Sequence, residues 1–205
     1  MRQAEYWGDA CRQLSRKDPV MKALIHSYPN SILRSRGNAF ETLLRAIVGQ
    51  QISLKAADAV WARLCAVTPI QTEAVSQLAP DQLRSCGLSR MKAEYCRDLA
   101  GHFVEGRIRP RRWAHMEDEV IIAELIDVRG IGRWTAEMFL IFHLLRPNVW
   151  PVDDLGLLKA LSLHYAEGEK ITPQHARDMG ETWQPWRTVA TWYLWRSLDP
   201  IPVEY

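Results

Sequence analysis

The 205-residue sequence is short of cysteine, of phenylalanine, of long apolar runs and of net charge, and each shortage excludes something. Its four cysteines, Cys11, Cys65, Cys86 and Cys96, include no Cys-x-x-Cys pair, so neither a zinc ribbon nor an iron–sulfur loop is expected. The opening MRQAEYWGDACRQ has no apolar core of the kind a secretory signal needs. The thiols therefore read as reduced, inside a cell: cytoplasm or nucleoid if the host is a bacterium. The most apolar stretch, Met138–Leu145, is interrupted by His143 and is far shorter than the roughly 20 residues of a membrane span, so no membrane partner is expected. A net charge of +2 does not by itself mark a nucleic-acid binder. Only Arg84–Arg112 is locally basic, with eight Lys and Arg against Glu94, Asp98 and Glu105. Such a run is more often a solvated surface than a binding patch.

Tryptophan and helical periodicity are what the sequence has in quantity. There are nine tryptophans against four phenylalanines. Phe40, Leu43, Leu44, Ile47 and Val48 follow i, i+3, i+4, i+7, i+8, one face of an amphipathic helix. Ala56, Ala57, Val60, Trp61 and Leu64 repeat the pattern after Ser53, an N-cap residue type. Trp186, Val189, Ala190, Tyr193 and Leu194 form a third stripe, with Pro185 expected in its first turn, and Thr172-Pro173 opens a further helix. No alternating strand pattern stands out. The fold class is all-α, with about ten to twelve short helices.

The segment Leu125-Ile126-Asp127-Val128-Arg129-Gly130-Ile131-Gly132-Arg133-Trp134-Thr135-Ala136 carries the functional signal. An apolar helix ends, a tight turn with two glycines follows, and a second helix begins near Gly132. Glycine permits positive φ and close approach of another backbone. The turn leaves backbone N–H groups at a helix start, where an anion such as a DNA phosphate is favoured without sequence selection. This is a helix–hairpin–helix over about 120–145, although two glycines alone are equally compatible with an ordinary αα-corner.

Beyond it comes Trp150-Pro151-Val152-Asp153-Asp154-Leu155, and at this point the sequence resembles the helix–hairpin–helix DNA glycosylases, the HhH-GPD superfamily. Within that superfamily it is similar to the AlkA-type alkylbase (3-methyladenine) DNA glycosylases. Lys17-Asp18-Pro19-Val20, Phe40 to Ser53, and Trp183-Gln184-Pro185-Trp186-Arg187 extend the match over almost the whole chain in order. The resemblance implies a two-lobed helical fold: residues 1–35 with 131–205 form one lobe and 36–130 the other, with the active cleft between the lobes beside the hairpin. It implies a monofunctional glycosylase of base-excision repair that releases alkylated purines from damaged DNA, acting as a monomer.

The resemblance also implies roles. Asp154 is the carboxylate that faces the sugar as positive charge develops there. Asp153 is read as the structural cap of the following helix, since Asp suits an N-cap. Trp134 stands where bifunctional relatives carry a Schiff-base lysine, so water is the nucleophile and no lyase step is expected. Trp134 and Trp195 are matched to the base pocket, with Met138 and Leu155 where broader-specificity relatives have tyrosines. Trp195 also lies off its helix's apolar stripe. Trp61, Trp183 and Trp186 are read as core. Gln50, Gln51 and Ser53 are expected at DNA, with Gln51 filling the gap left by a flipped base, and Arg129, Gly130, Ile131, Gly132 and Thr135 at phosphate. No organic cofactor or iron–sulfur cluster is implied. A sodium or potassium ion at the carbonyls of Ile126, Val128 and Ile131 is. The alternative function is a non-catalytic helix–hairpin–helix DNA-binding module, which gives no reason for Asp154 or for the two tryptophans.

Overall fold

A computed structural model describes residues 2–35 and 37–198. Among them are twelve α-helices: α1 (Trp7–Lys17), α2 (Pro19–Ser27), α3 (Ala39–Gly49), α4 (Leu54–Val67), α5 (Thr72–Gln77), α6 (Pro80–Ser85), α7 (Arg90–Val104), α8 (Asp118–Ile126), α9 (Arg133–Phe139), α10 (Leu155–Tyr165), α11 (Pro173–Gly180) and α12 (Arg187–Leu198). The all-α expectation holds. The exception is an antiparallel ribbon of two-residue strands, β1 (Arg2–Gln3) and β2 (Arg34–Ser35), with Arg2 opposite Ser35. Two residues are too few to show alternation in sequence. No helix among the described residues is long and apolar enough to cross a membrane.

Local chemistry sets the helix starts. Asp18, Asn38, Ser53, Ser89 and Thr172 each accept a backbone N–H from the first turn of the helix they precede. Pro185 does not sit in the first turn of α12 as expected. The Trp186 N–H closes a turn onto Trp183 O at 2.7 Å, and the helix begins only at Arg187.

The chain divides into two compact units, residues 1–36 with 140–205, and residues 37–139. The second unit runs past the expected boundary at 130 to Phe139, because α9 packs on α8 and α3 of that unit. The chain passes from one unit to the other within a continuous helical stretch, α9 running into a π-helical turn over Leu140–Leu144.

The core of the first unit gathers Leu14, Met21, Leu157, Leu161, Trp183, Val189, Ala190 and Leu194. A buried carboxylate fastens it. Asp18 Oδ1 accepts the N–H groups of Val20 and Met21 at 2.8 and 3.0 Å, capping α2. Asp18 Oδ2 accepts the Tyr165 hydroxyl at 2.8 Å and the Trp183 indole N–H at 2.9 Å. Burial and the Asp18 charge together push the Tyr165 hydroxyl far above its ordinary value. In the second unit Phe40, Leu43, Leu44, Ile47, Leu64, Val75, Leu99, Ile121 and Leu125 are buried, and Phe40 meets Phe103 edge-on at 5.3 Å.

Asp18→Ala should lower unfolding free energy by about 3 kcal/mol or more, since it removes a cap and strands the buried Trp183 donor and the half-buried Tyr165 hydroxyl. Urea denaturation measures this. A loss below about 1 kcal/mol would mean that the network is incidental.

Candidate active site

The segment ahead of α10 is anchored before it reaches its acids. Trp150 is buried, donates its indole N–H to Ala176 O at 2.8 Å, and lies against Gly180, where a Cβ would come within 2.5 Å of the indole nitrogen. A tight turn follows, with the Asp154 N–H on Pro151 O at 2.9 Å. Asp154 then has extended dihedrals, φ −77° and ψ 118°, and its Oδ1 accepts the Leu157 N–H at 2.7 Å. That is N-cap geometry. Asp154 is therefore the cap of α10, and the assignment of the cap to Asp153 is corrected. Asp153 lies one residue earlier, in the turn, with its side chain exposed.

The same oxygen, Asp154 Oδ1, accepts the Trp195 indole N–H at 2.7 Å. Two N–H donors from different helices, on one oxygen, fix the plane of the carboxylate. Trp195 is itself held from behind, stacked on Phe142 at 5.9 Å with 12° between the planes. Gly156 makes the contact possible. A Cβ there would lie 3.1 Å from Asp154 Oδ1 and 3.3 Å from the Trp195 ring. Leu155, beside the acid, is 81% exposed.

In the second unit, the turn between α8 and α9 is the hairpin. Gly130 has φ +87°, and a Cβ there would penetrate the Tyr95 ring, at 2.2 Å from its nearest carbon. Gly132 has no such constraint: a Cβ would meet nothing within 4 Å. Among the described residues the N–H groups of Gly130 and Gly132 have no hydrogen-bond partner. The expected phosphate set is otherwise altered. The Ile131 side chain is buried and its N–H is bonded to Val128 O at 3.1 Å. The Arg129 N–H goes to Asp98 Oδ2 at 2.8 Å, and its guanidinium pairs with Glu94 at 3.0 Å. Ile131 and the Arg129 backbone are thus used within the protein, because the turn satisfies its own polar groups wherever a partner is in reach. Gln50 is used in the same way, donating to Gly130 O at 2.8 Å. Ser53 accepts the Ala56 N–H at 3.3 Å as the cap of α4. Gln51 is exposed, with φ +57°.

Residues 44–186 match the family model described as the HhH-GPD superfamily base excision DNA repair protein. The chain belongs to this superfamily. A crystal structure of a Bacillus halodurans DNA-3-methyladenine glycosidase is 31% identical, with a TM-score of 0.88 over 96% of this chain and 92% of that one. A Schizosaccharomyces pombe 3-methyladenine DNA glycosylase, solved in complex with abasic DNA, is 30% identical with a TM-score of 0.76, covering 92% of this chain and 96% of the other. By sequence, DNA-3-methyladenine glycosylase 1 of the same yeast is 31% identical over 85% of this chain and 78% of its own length. The chain spans 66% of the length of two Bacillus subtilis relatives that it also matches.

On α9 this HhH-GPD chain presents Trp134, 42% exposed, and Thr135, half-buried, while Met138 is buried. Arg133 fastens α9 to α8. Its guanidinium makes two hydrogen bonds to Glu119, at 2.9 and 2.5 Å, and one to the buried Glu137 at 3.0 Å. The hydrogen bonds from Arg133 hold the Glu119 carboxyl below its ordinary value. Trp183 is core as expected. Trp186 is only partly buried, stacked on Tyr6 at 5.7 Å and donating to Gln13. Trp61 lies under the Arg45 guanidinium at 5.5 Å, also partly exposed. Sequence reasoning missed the Trp195–Asp154 bond, the use of Tyr95 and Asp98 beneath the hairpin, and the bonds of Lys92 to the end of α3. The glycine two residues after Asp154, in a helical first turn, was the one available signal for the former.

The two hairpin glycines should behave differently. Gly130→Ala should destabilise the protein by about 2 kcal/mol or more, through positive φ and displacement of Tyr95. Gly132→Ala should leave stability within about 0.5 kcal/mol while weakening binding to undamaged duplex several-fold, because the added methyl obstructs only an approaching backbone. Chemical denaturation and fluorescence anisotropy separate the two. Unchanged DNA affinity of Gly132→Ala contradicts the hairpin as phosphate anchor.

Proposed function

We propose that this chain releases N-alkylated purines of the 3-methyladenine class from DNA by hydrolysing the N-glycosidic bond, in base-excision repair. The observation that carries the reading is the Asp154 carboxylate, oriented by Leu157 N–H and Trp195 N–H, at the start of α10 in an HhH-GPD chain. Membership of that superfamily and the relatives' names support it.

Breaking the bond between base and C1′ leaves positive charge on the sugar. Asp154 stabilises that charge and orients or deprotonates the attacking water. The hydrogen bonds to Oδ1 keep the carboxylate from turning as the charge grows. By resemblance Trp134 stands where bifunctional relatives carry a lysine, and an indole is no amine nucleophile, so the reading is a hydrolase without lyase activity. A base in a duplex must be flipped out to be reached. Trp134 and Trp195 offer π-faces to a cationic purine, worth about 0.5–2 kcal/mol each. By resemblance Met138 and Leu155 each stand where broader-specificity relatives have a tyrosine, and softer side chains at those positions admit hypoxanthine and ethenoadenine as slower substrates.

Damaged DNA is the partner, engaged by a monomer, with Gly130, Gly132 and Thr135 at phosphate and Gln51 at the gap. Hydrolysis calls for no organic cofactor. A sodium or potassium ion would be held by the carbonyls of Ile126, Val128 and Ile131 and would supply positive charge between hairpin and phosphate. Val128 O already accepts the Ile131 N–H and keeps one lone pair for the ion. Repair of the genome locates the enzyme inside the cell.

Competition between matched duplexes tests the reading. 3-Methyladenine should be released at least about tenfold faster than uracil or 8-oxoguanine, since alkylation both weakens the bond and adds the charge the pocket selects. Borohydride should trap no covalent adduct. Release of uracil or 8-oxoguanine at equal rates, or efficient trapping, contradicts substrate class or mechanism respectively. Binding without any base release would favour the non-catalytic module.

A further inference from the structure

We propose that Gln50 and Lys92 are positioning residues that lock the α3–α4 turn to the hairpin, so that the gap-filling element and the phosphate anchor engage DNA as one body. The inference rests on the proposed function for the role of the turn.

The turn is short and strained. α3 ends at Gly49, Ser53 caps α4, and between them Gln51 is a non-glycine residue at φ +57°. Left-handed geometry costs such a residue roughly 1 kcal/mol or more and persists only where surrounding structure enforces it. The tip is also unusually apolar for a surface. Ile52 is 40% exposed and Leu54 76% exposed, on either side of the Ser53 cap. A strained, exposed, apolar-edged tip suits insertion into a base stack better than contact with water.

What enforces the conformation comes from outside the turn. The Lys92 ammonium, on α7, donates to Val48 O at 2.9 Å and to Gln50 O at 2.5 Å, the carbonyls left open at the end of α3. A cation there also complements the helix dipole. Partial burial lowers the Lys92 pKa, which marks the site as sheltered. The Gln50 side chain then spans to Gly130 O in the hairpin at 2.8 Å. Gly130 is seated on Tyr95, and Arg129 N–H on Asp98, both residues of α7. One further turn along α7, His102 Nε2 lies 3.0 Å from Asp127 at the end of α8. α7 is therefore a common floor: Lys92 holds the turn, Tyr95 and Asp98 hold the hairpin, and Gln50 closes the bracket between them.

If the bracket only stabilised the fold, breaking it would weaken all DNA binding alike or none. If it sets the register between turn and anchor, breaking it weakens the complex in which a base has left the stack and spares the complex that uses the anchor alone. Lys92→Met and Gln50→Leu keep length and remove the donors, and Lys92→Arg keeps a cation that reaches the same carbonyls. The measurement is affinity of the full chain for a duplex carrying a tetrahydrofuran abasic analogue against the same duplex undamaged. Wild type should prefer the abasic duplex. Both variants should keep undamaged-duplex affinity within about threefold and lose about five- to tenfold of the preference, and Lys92→Arg should restore most of it. Equal loss on both duplexes, an unchanged preference, or a wild type with no preference each overturns the lock. Release of alkylated base by wild type, assayed alongside, reports separately on the proposed function: no release together with the expected pattern of affinities would sink that function and leave the lock standing.

Discussion

A carboxylate that is to face a growing positive charge has to be held still while it stays charged. On the proposed mechanism the holding falls to one oxygen. Asp154 Oδ1 takes the Leu157 N–H and the Trp195 indole N–H, each at 2.7 Å. The first bond ties the acid to the start of its own helix, where the dipole favours negative charge. The second ties it to α12, far away in sequence. Much else in the first unit serves this junction. Trp150 anchors the incoming segment, Gly156 leaves room for the indole, and Phe142 backs it. The buried Asp18 network, which fixes Tyr165 at the end of α10, secures the other end of the same helix.

On the proposed function the second unit meets a different demand, which is to present backbone to a polyanion without losing its own internal hydrogen bonds. The hairpin gives up Ile131 N–H and Arg129 N–H to the protein, and among the described residues those of Gly130 and Gly132 have no partner. The division follows from geometry. Gly130 is required by the fold, through positive φ and the Tyr95 ring, whereas a Cβ at Gly132 would meet nothing within 4 Å. A small residue with open space around it, beside unpartnered N–H groups, is what a site for an approaching phosphate needs. The Arg133–Glu119 pair keeps the two hairpin helices together despite its exposure, since two parallel hydrogen bonds add direction to charge.

The fold was largely legible in sequence because its signals are local. The stripe of Phe40, Leu43, Leu44, Ile47 and Val48 is buried as read, and Ser53 and Thr172 cap their helices. Asp154 was singled out through its motif, and the structure places it at the start of α10 with the Trp195 indole on its Oδ1. Its neighbour was misassigned because Asp153 and Asp154 are equally good cap residues, and only backbone dihedrals decide which one stands at the boundary. The Trp195 bond, Gln50 to Gly130 and Lys92 to the end of α3 were not legible. Each joins residues far apart in sequence, and nothing in an indole, an amide or an ammonium announces which distant group it will meet. Ile131 looked available for phosphate for the converse reason: a turn residue next to glycine reads as exposed until its burial is known.

On the proposed mechanism the Asp154 charge, held in place, is what the sugar cation meets. Its most direct test is affinity for duplexes carrying either a cationic pyrrolidine or a neutral tetrahydrofuran in place of the damaged nucleoside, measured for wild type and for Asp154→Asn, whose amide can still cap α10. Wild type should bind the cationic duplex about tenfold or more tighter than the neutral one, because a fixed charge favours the transition-state mimic over its uncharged shape. Asp154→Asn should bind the two alike, with neutral-duplex affinity and thermal stability close to wild type. A cation preference that survives in Asp154→Asn would contradict the account and assign the stabilising charge to another group.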